Sequence, residues 1–232
     1  MANPGGTVSV TVLDREMFSE AEAARLLRLP QNTLNYWLEG GRRGSRLYKP
    51  VVRIEPRGGR PPVTWGEFIE AGWLREYRRT HNVPMAELRA FIDLIRHEYG
   101  VPYPLADRRP FVSGRELLVA AQDEANLDPD FCLVATVRGQ LVLTSPADSF
   151  VKRVVWNQDD AAQWRPHDDP LSPVRMNPQV RFGRPAIGGV STEVLWEHEQ
   201  AGEVADDIAE EFGLPAESVR WAVAYETSAR AA

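Results

Sequence analysis

At 232 residues, with 43% hydrophobic and 26% charged side chains, the chain has the composition of an ordinary globular protein and the length for one or two domains with a real core. Its formal charge is −6, so any patch that attracts a polyanion has to be local. Met1–Arg15 lacks the apolar run of a signal peptide, no 18 apolar residues occur in a row, and Cys132 stands alone; a cytoplasmic protein with no membrane association and no disulfide framework is expected.

Met1–Arg15 carries one alternating run, Val8, Val10 and Val12, and reads as an arm or an edge strand. Phe18–Leu38 follows. Ser19 with Glu22 three residues on is a capping box, and Ala21, Ala24, Leu26 and Leu27 make a small apolar face. Leu29-Pro30 breaks this helix. Gln31, Asn32 and Thr33 open a second, with Leu34, Trp37 and Leu38 turned inward. Two short helices joined by a tight turn are expected to form a helix-turn-helix, whose second helix meets base edges near its N-terminus. Gln31, Asn32, Thr33 and Asn35 are the base-edge candidates, because amides pair bidentately with adenine and hydroxyls bond either groove edge.

The next segment, Gly40 to Lys49, is glycine-rich and basic, with Val51–Ile54 expected as a strand. This is the pattern of a β-wing, and Arg42, Arg43, Arg46 and Lys49 are placed to reach phosphates. From Arg25 to Arg60 there are nine Arg/Lys against Glu39 and Glu55, a local charge of +7. The competing reading of the same residues is a packed helical hairpin beside a solvated basic loop.

Pro56–Pro62 is a turn segment. Thr64 caps a helix from Trp65 to about Arg79 that buries Phe68, Ile69, Trp73, Leu74 and Tyr77. Pro84 starts another, with Leu88, Phe91, Ile92 and Ile95 as its stripe and Gly100 as its stop. This order resembles the MerR/excisionase kind of winged-helix domain over about Met17–Gly100, although the basic loop is longer than a compact wing. The resemblance implies DNA binding and a dimer contact through the later helices.

Val101–Pro110 is a connector, and Ser113–Ala121 a short helix. Phe131–Leu143 reads as a hairpin turning at Arg138-Gly139, Ala147–Val151 as a helical turn, and Val154–Trp156 with Ala162–Trp164 as a second hairpin. Together they predict a small central antiparallel sheet. Arg165–Pro178, with four prolines, is expected to be a linker. Beyond it, Thr192–Gln200, Glu203–Phe212 and Ala216–Tyr225 predict three helices, with Leu195, Val204, Ile208, Phe212, Val219, Ala222 and Val223 facing inward. The expected fold is α+β and mainly α, divided as 1–100, 101–165, a linker over 166–178, and 179–232.

The run N-P-Q-V-R-F-G-R-P-A-I-G-G from Asn177 to Gly189, followed by three helices broken at Ala201-Gly202 and Gly213-Leu214-Pro215, resembles the small domain of unknown function 433 over about Arg175–Glu226. Many members read G-T-R after the isoleucine where this chain has Gly188-Gly189-Val190, so no role of that arginine carries over. The domain recurs in VapB-type antitoxins. The resemblance therefore implies an antitoxin whose partner is a PIN-type ribonuclease and which represses its own operon. Glu193–Ala232 carries ten Asp/Glu against Arg220 and Arg230, a charge of −8, which repels a duplex and suits protein docking; a plain solvated acidic face is the competing reading. Arg230, the one cation of the short tail, is the candidate contact to the toxin's carboxylates, with a fraying tail as the alternative.

The catalytic inventory is thin. His81, His97, His167 and His198 are dispersed, with no metal-binding spacing, no G-x-S-x-G elbow and no P-loop. His167-Asp168-Asp169 lies in the Pro-rich segment and reads as a polar loop. No catalytic residue, metal or cofactor is assigned, and the chain is expected not to be an enzyme. Operator binding as a homodimer is expected, since one module contacts few bases. The rival reading is a free-standing MerR-like regulator that responds to a small molecule.

Overall fold

The computed structural model describes residues 11–81, 85–112, 115–127, 132–137, 140–167 and 169–231. Val8 and Val10 of the expected arm, Ser113, Phe131, the helix-starting Pro84, the Arg138-Gly139 turn and Asp168 lie outside the described residues, as do the side chains of Arg43 and Tyr77.

Val12–Asp14 is a single 3-10 turn closed by a Thr11/Asp14 capping box, and it leads into β1 (Glu16–Phe18). Ser19 Oγ accepts the Glu22 N–H at 3.2 Å and starts α1 (Glu20–Leu26). Of the expected inward face, Ala24, Leu26 and Leu27 are buried and Ala21 is exposed; Glu20 and Ala23 complete the buried side, so that Glu20, Ala23, Ala24 and Leu27 form an i, i+3, i+4, i+7 set. The turn passes through Arg28 at φ 51°, and α2 (Gln31–Glu39) buries Leu34, Trp37 and Leu38 as its spacing predicts. Gly40 then reverses the chain at φ 70°. A Cβ there would lie 2.2 Å from the Tyr48 carbonyl oxygen, so any other residue would push the following strands off the helix.

Those strands are β2 (Gly41–Arg43) and β3 (Arg46–Tyr48), an antiparallel pair. Val51–Ile54 is a bent segment rather than a strand. The amides of Val51 and Val52 both donate to the Trp37 carbonyl, at 2.9 and 3.0 Å, so they close the end of α2 instead of joining a ladder. β4 (Val63–Thr64) pairs with β1. Thr64 and Glu67 exchange reciprocal capping bonds of 3.2 and 3.0 Å at the start of α3 (Trp65–His81). α4 (Met85–Tyr99) buries its expected stripe, Leu88, Phe91, Ile92 and Ile95, and Gly100 follows at φ 61°.

The expected central sheet is two separate hairpins. After α5 (Arg109–Val112) and α6 (Arg115–Glu124), β5 (Val134–Val137) pairs with β6 (Gln140–Leu143); after α7 (Ser145–Arg153), β7 (Val154–Asn157) pairs with β8 (Asp160–Trp164). The buried Gln122 explains part of the separation. Its Oε1 accepts from Leu133 and Val134 (2.7 and 3.0 Å) and its Nε2 donates to Val134 O (3.0 Å), using backbone groups that another strand would need.

α3 is the axis around which these parts collect. Trp65 stacks on Phe68, which meets Trp164 edge-on, while Trp73 packs on Phe111 and Phe150. The Trp65 indole donates to the Ala161 carbonyl at 2.6 Å. One buried apolar set thus runs from Leu13 to Met176. Within it Glu70 Oε1 accepts the Leu105 N–H at 3.0 Å and Oε2 lies 3.7 Å from Arg96. Burial pushes this carboxyl up to about 8, against the pull of Arg96. A folded-state value above the unfolded one means that stability is lost as pH rises through this range. Glu70→Gln keeps the acceptor for Leu105, so its stability advantage over the native chain should grow between pH 5 and 8 and then level off, as read from urea midpoints.

The Pro-rich segment is tied down. Trp164 and Met176 exchange backbone bonds of 2.9 and 2.8 Å, Arg175 pairs with Ala186, and Val174 and Met176 are fully buried. β9 (Ala186–Ile187) and β10 (Val190–Ser191) lead into α8 (Thr192–Gln200), α9 (Ala205–Phe212) and α10 (Ala216–Arg230). Their core contains Val174, Ile187, Leu195, Ile208, Val219, Ala222 and Tyr225. Val204 was expected inward, yet it is 59% exposed because it is the residue before α9's first turn. The tail does not fray at Tyr225; α10 continues to Arg230.

Candidate nucleic-acid interface

The structure brings the eight candidate residues onto consecutive elements. Gln31 and Asn32 are exposed on the first turn of α2, with Thr33 and Asn35 half-buried beside them. Arg42, Arg46 and Lys49 are exposed on and just after the β2–β3 hairpin. Arg43 lies on β2, opposite Arg46 in the ladder.

Two of the amides have an intramolecular partner that spacing did not reveal. Glu20, 5% exposed at the start of α1, accepts from Asn35 Nδ2 at 2.9 Å and from Gln31 Nε2 at 3.4 Å. A carboxylate in the first turn of a helix is favourably placed against the dipole. Here it also crosses to α2 and orients both amides. The usable trace in the sequence was the phase of α1, where position 20 rather than 21 leads the inward set.

The hairpin is held by an aromatic clasp. Tyr36 of α2 and Tyr48 of β3 meet edge-on at 6.4 Å, and the Arg89 guanidinium of α4 lies 5.1 and 5.5 Å from their rings. Arg89 Nε donates to the Lys49 carbonyl at 3.0 Å, and Arg46 lies over the Tyr48 ring at 5.4 Å. Leu47, at the same tip, is 75% exposed.

The local charge is smaller at the surface than the sequence count. Arg53 is 4% exposed. It forms a paired hydrogen bond to Glu67 (2.9 and 3.1 Å) and an ion pair with Glu39. Glu39 Oε2 also accepts the amides of Arg57 and Gly58, both at 2.9 Å. Burial works against the Arg53 charge, but Glu67 and Glu39 outweigh it and its pKa is raised. The network joins the end of α2 to the start of α3. Arg25, Arg42, Arg46, Lys49, Arg57 and Arg60 remain as exposed cations of this stretch.

At the other end, Glu203, Asp206, Asp207, Glu210, Glu211 and Glu217 are exposed along α9 and the start of α10. His198 Nδ1 lies 2.9 Å from Glu203 Oε1 and 4.0 Å from Glu211, and the bond to Glu203 raises its pKa. Sequence spacing passed over this group, which forms only when α9 folds back beside the end of α8. Arg230 is engaged as well. Its guanidinium covers Trp196 at 4.0 Å, reaches Glu193 at 3.2 Å and pairs with Glu226.

The two ends touch. Arg184 bonds Glu22 at 2.8 Å and Arg15 reaches the Pro178 carbonyl at 3.1 Å. Gly183, at φ 76°, sits where a Cβ would lie 3.0 Å from both Met17 and Phe18.

The class defined by these features is a mainly helical α+β protein ending in a small three-helix domain, and residues 174–225 match the family described as "Protein of unknown function (DUF433)". The chain belongs to the same family as the "Uncharacterized protein Rv2308" of Mycobacterium tuberculosis, with which it is 33% identical over 97% of this chain and 96% of that one. It is also similar, at 24% identity over 89% of this chain and 92% of the other, to the Mycobacterium tuberculosis protein named "Putative antitoxin VapB45". The crystal structure of Rv2018 from Mycobacterium tuberculosis shares the fold, with a TM-score of 0.74, 22% identity, and coverage of 92% of this chain and 100% of that one. No described helix is long and apolar enough to cross a membrane.

Proposed function

We propose that the chain is an antitoxin that binds and neutralises a PIN-type ribonuclease and represses its own operon. The observation that carries this reading is the nearly end-to-end similarity to the protein named "Putative antitoxin VapB45". The DUF433 match at residues 174–225 supports it. In this reading the helix pair α1–α2 with the β2–β3 hairpin is a winged helix-turn-helix, and a homodimer places two copies on paired half-sites. Asn32 and Thr33, with Gln31 and Asn35 oriented by Glu20, read base edges; Arg42, Arg43, Arg46 and Lys49 meet phosphates. The acidic face of α9 and α10 serves the ribonuclease. That enzyme's metal site is held by carboxylates, and Arg230 reaches it only by leaving Glu193 and Glu226. The role is one of binding rather than catalysis.

The test is co-expression with the PIN-type ribonuclease that this reading requires beside the chain's own gene. A stable complex, inactive on RNA until the two are separated, is required. An active nuclease that elutes apart from this chain sinks the antitoxin role.

The orientation of the amides has its own test. Glu20→Ala should reduce the preference for operator over random duplex by about 1–3 kcal/mol, the discrimination carried by one good amide–base pair. The dependence of affinity on salt should stay as in the native chain, because no phosphate contact is removed. An unchanged operator preference removes Gln31 and Asn35 from base reading.

A further inference from the structure

Apolar packing fixes α8 against α9: Leu195 and Ile208 are both fully buried in the terminal core. The connection between the helices folds back on α8, with the Glu203 amide donating to the His198 carbonyl at 3.2 Å. That packing brings side chains from three segments to one point. His198 stands in the last turn of α8, Glu203 in the connection and Glu211 in the last turn of α9. His198 Nδ1 lies 2.9 Å from Glu203 Oε1 and 4.0 Å from Glu211 Oε2, and the three ligand atoms all lie within 4.8 Å of one another. No other three His, Cys, Asp or Glu side chains among the described residues converge as closely.

Two further observations separate this group from an ordinary acidic surface. Neither carboxylate pairs with an arginine or lysine among the described residues; His198 is the charge partner of both. By contrast, Asp206 meets Arg220 at 3.6 Å and Glu193 meets Arg230 at 3.2 Å. Glu203 foremost, then Glu211 and Glu197, hold the His198 proton, so the corner carries more negative charge than one imidazole offsets. The imidazole is also oriented. Phe212 packs edge-on against it at 5.1 Å, with the ring planes at 85°. A ligand ring held by packing is already arranged for coordination.

We infer that His198, Glu203 and Glu211 bind one divalent transition-metal ion of the zinc class. An imidazole nitrogen with two carboxylate oxygens is a donor set that suits zinc, whereas magnesium and calcium prefer oxygen alone. Zinc holds such ligands at about 2.0–2.2 Å, which puts neighbouring ligand atoms about 3.3 Å apart. The two separations from His198 bracket that value, and the longer distances close by rotation of the Glu203 and Glu211 side chains, 41% and 56% exposed. Three protein ligands leave the fourth tetrahedral position to water. The ion replaces the proton that Nδ1 shares with Glu203, and that proton passes to solvent. Bound there, the ion ties the end of α8 to the end of α9 and relieves the crowding of charge between them. The site is independent of the antitoxin reading, since every ligand lies within α8, α9 and their connection.

The experiment is calorimetric titration of zinc chloride, up to about 100 μM, into the full chain freed of metal by a chelator, with thermal unfolding in parallel. One ion per chain should bind, and Tm should rise by about 3 °C or more. Magnesium chloride at the same concentration should give neither effect. Zinc affinity should fall on the order of tenfold or more in Glu211→Gln and in His198→Gln. It should be kept in His97→Gln, which removes a histidine of α4 that is 87% exposed beside Glu98. Should His198→Gln loosen the Phe212 contact, Glu211→Gln decides, because that exposed side chain comes no closer than 4.0 Å to His198. No zinc binding, equal binding of magnesium, an affinity unchanged in Glu211→Gln, or loss of binding in His97→Gln overturns the site.

Discussion

Arg53→Leu is expected to destabilise the chain by about 3–5 kcal/mol, the cost of removing one partner from a buried ion pair. The magnitude follows from what remains. Glu67, with 1% of its side chain exposed, would keep its bonds to the Thr64 amide and the half-exposed Arg57 but lose the paired guanidinium bond. Glu39 would lose the ion pair that anchors the end of α2. The loss should appear as a lower urea midpoint with an unchanged slope. Arg53→Leu combined with Glu67→Leu should recover a large part of it, because the cost resides in the orphaned carboxylate more than in packing. A single variant that costs less than about 1 kcal/mol, the worth of a surface pair, shows that the network does not brace the helices.

The second large effect concerns affinity. Replacing Arg42, Arg43 and Arg46 together with Ala should lower the slope of log affinity against log salt by about 2.7, from about 0.9 per phosphate contact. By the same relation the affinity for any duplex at 0.15 M salt falls on the order of a hundredfold. Operator and random duplexes should weaken alike, since these side chains are assigned to phosphates and not to bases. Neutralisation of the ribonuclease should be unaffected. Fluorescence anisotropy over a salt series reads the first effect and an RNA-cleavage assay the second. An unchanged salt slope moves the phosphate contacts off the hairpin; release of the nuclease joins two roles that are assigned to different ends.

Much of the fold was legible because it follows from local spacing. The stripes of α2, α3 and α4 were read from side chains three and four residues apart, and the Asn157–Asp160 turn from its polar run between apolar pairs. The three terminal helices announced themselves through glycine and proline breaks. Other features depend on contacts between distant residues. Glu20 turns inward onto two amides of α2, and Glu20 and Ala23, rather than Ala21, join Ala24, Leu26 and Leu27 on the buried side of α1. Val51 and Val52 look like strand residues, yet the Trp37 carbonyl takes their amides. Arg53 is indistinguishable in sequence from its exposed neighbours, although Glu39 and Glu67, fourteen residues away on either side, draw it into the interior.

The central claim, that nucleic acid meets the amino-terminal helices and protein meets the carboxy-terminal ones, is tested most directly by hydrogen exchange of the full chain. Amides would be followed with operator DNA alone and then with the partner ribonuclease alone. Operator should slow exchange in α2 and the β2–β3 hairpin, and the ribonuclease should slow it in α9 and α10. Operator protection confined to residues 193–231, with α2 and the hairpin unchanged, contradicts the assignment.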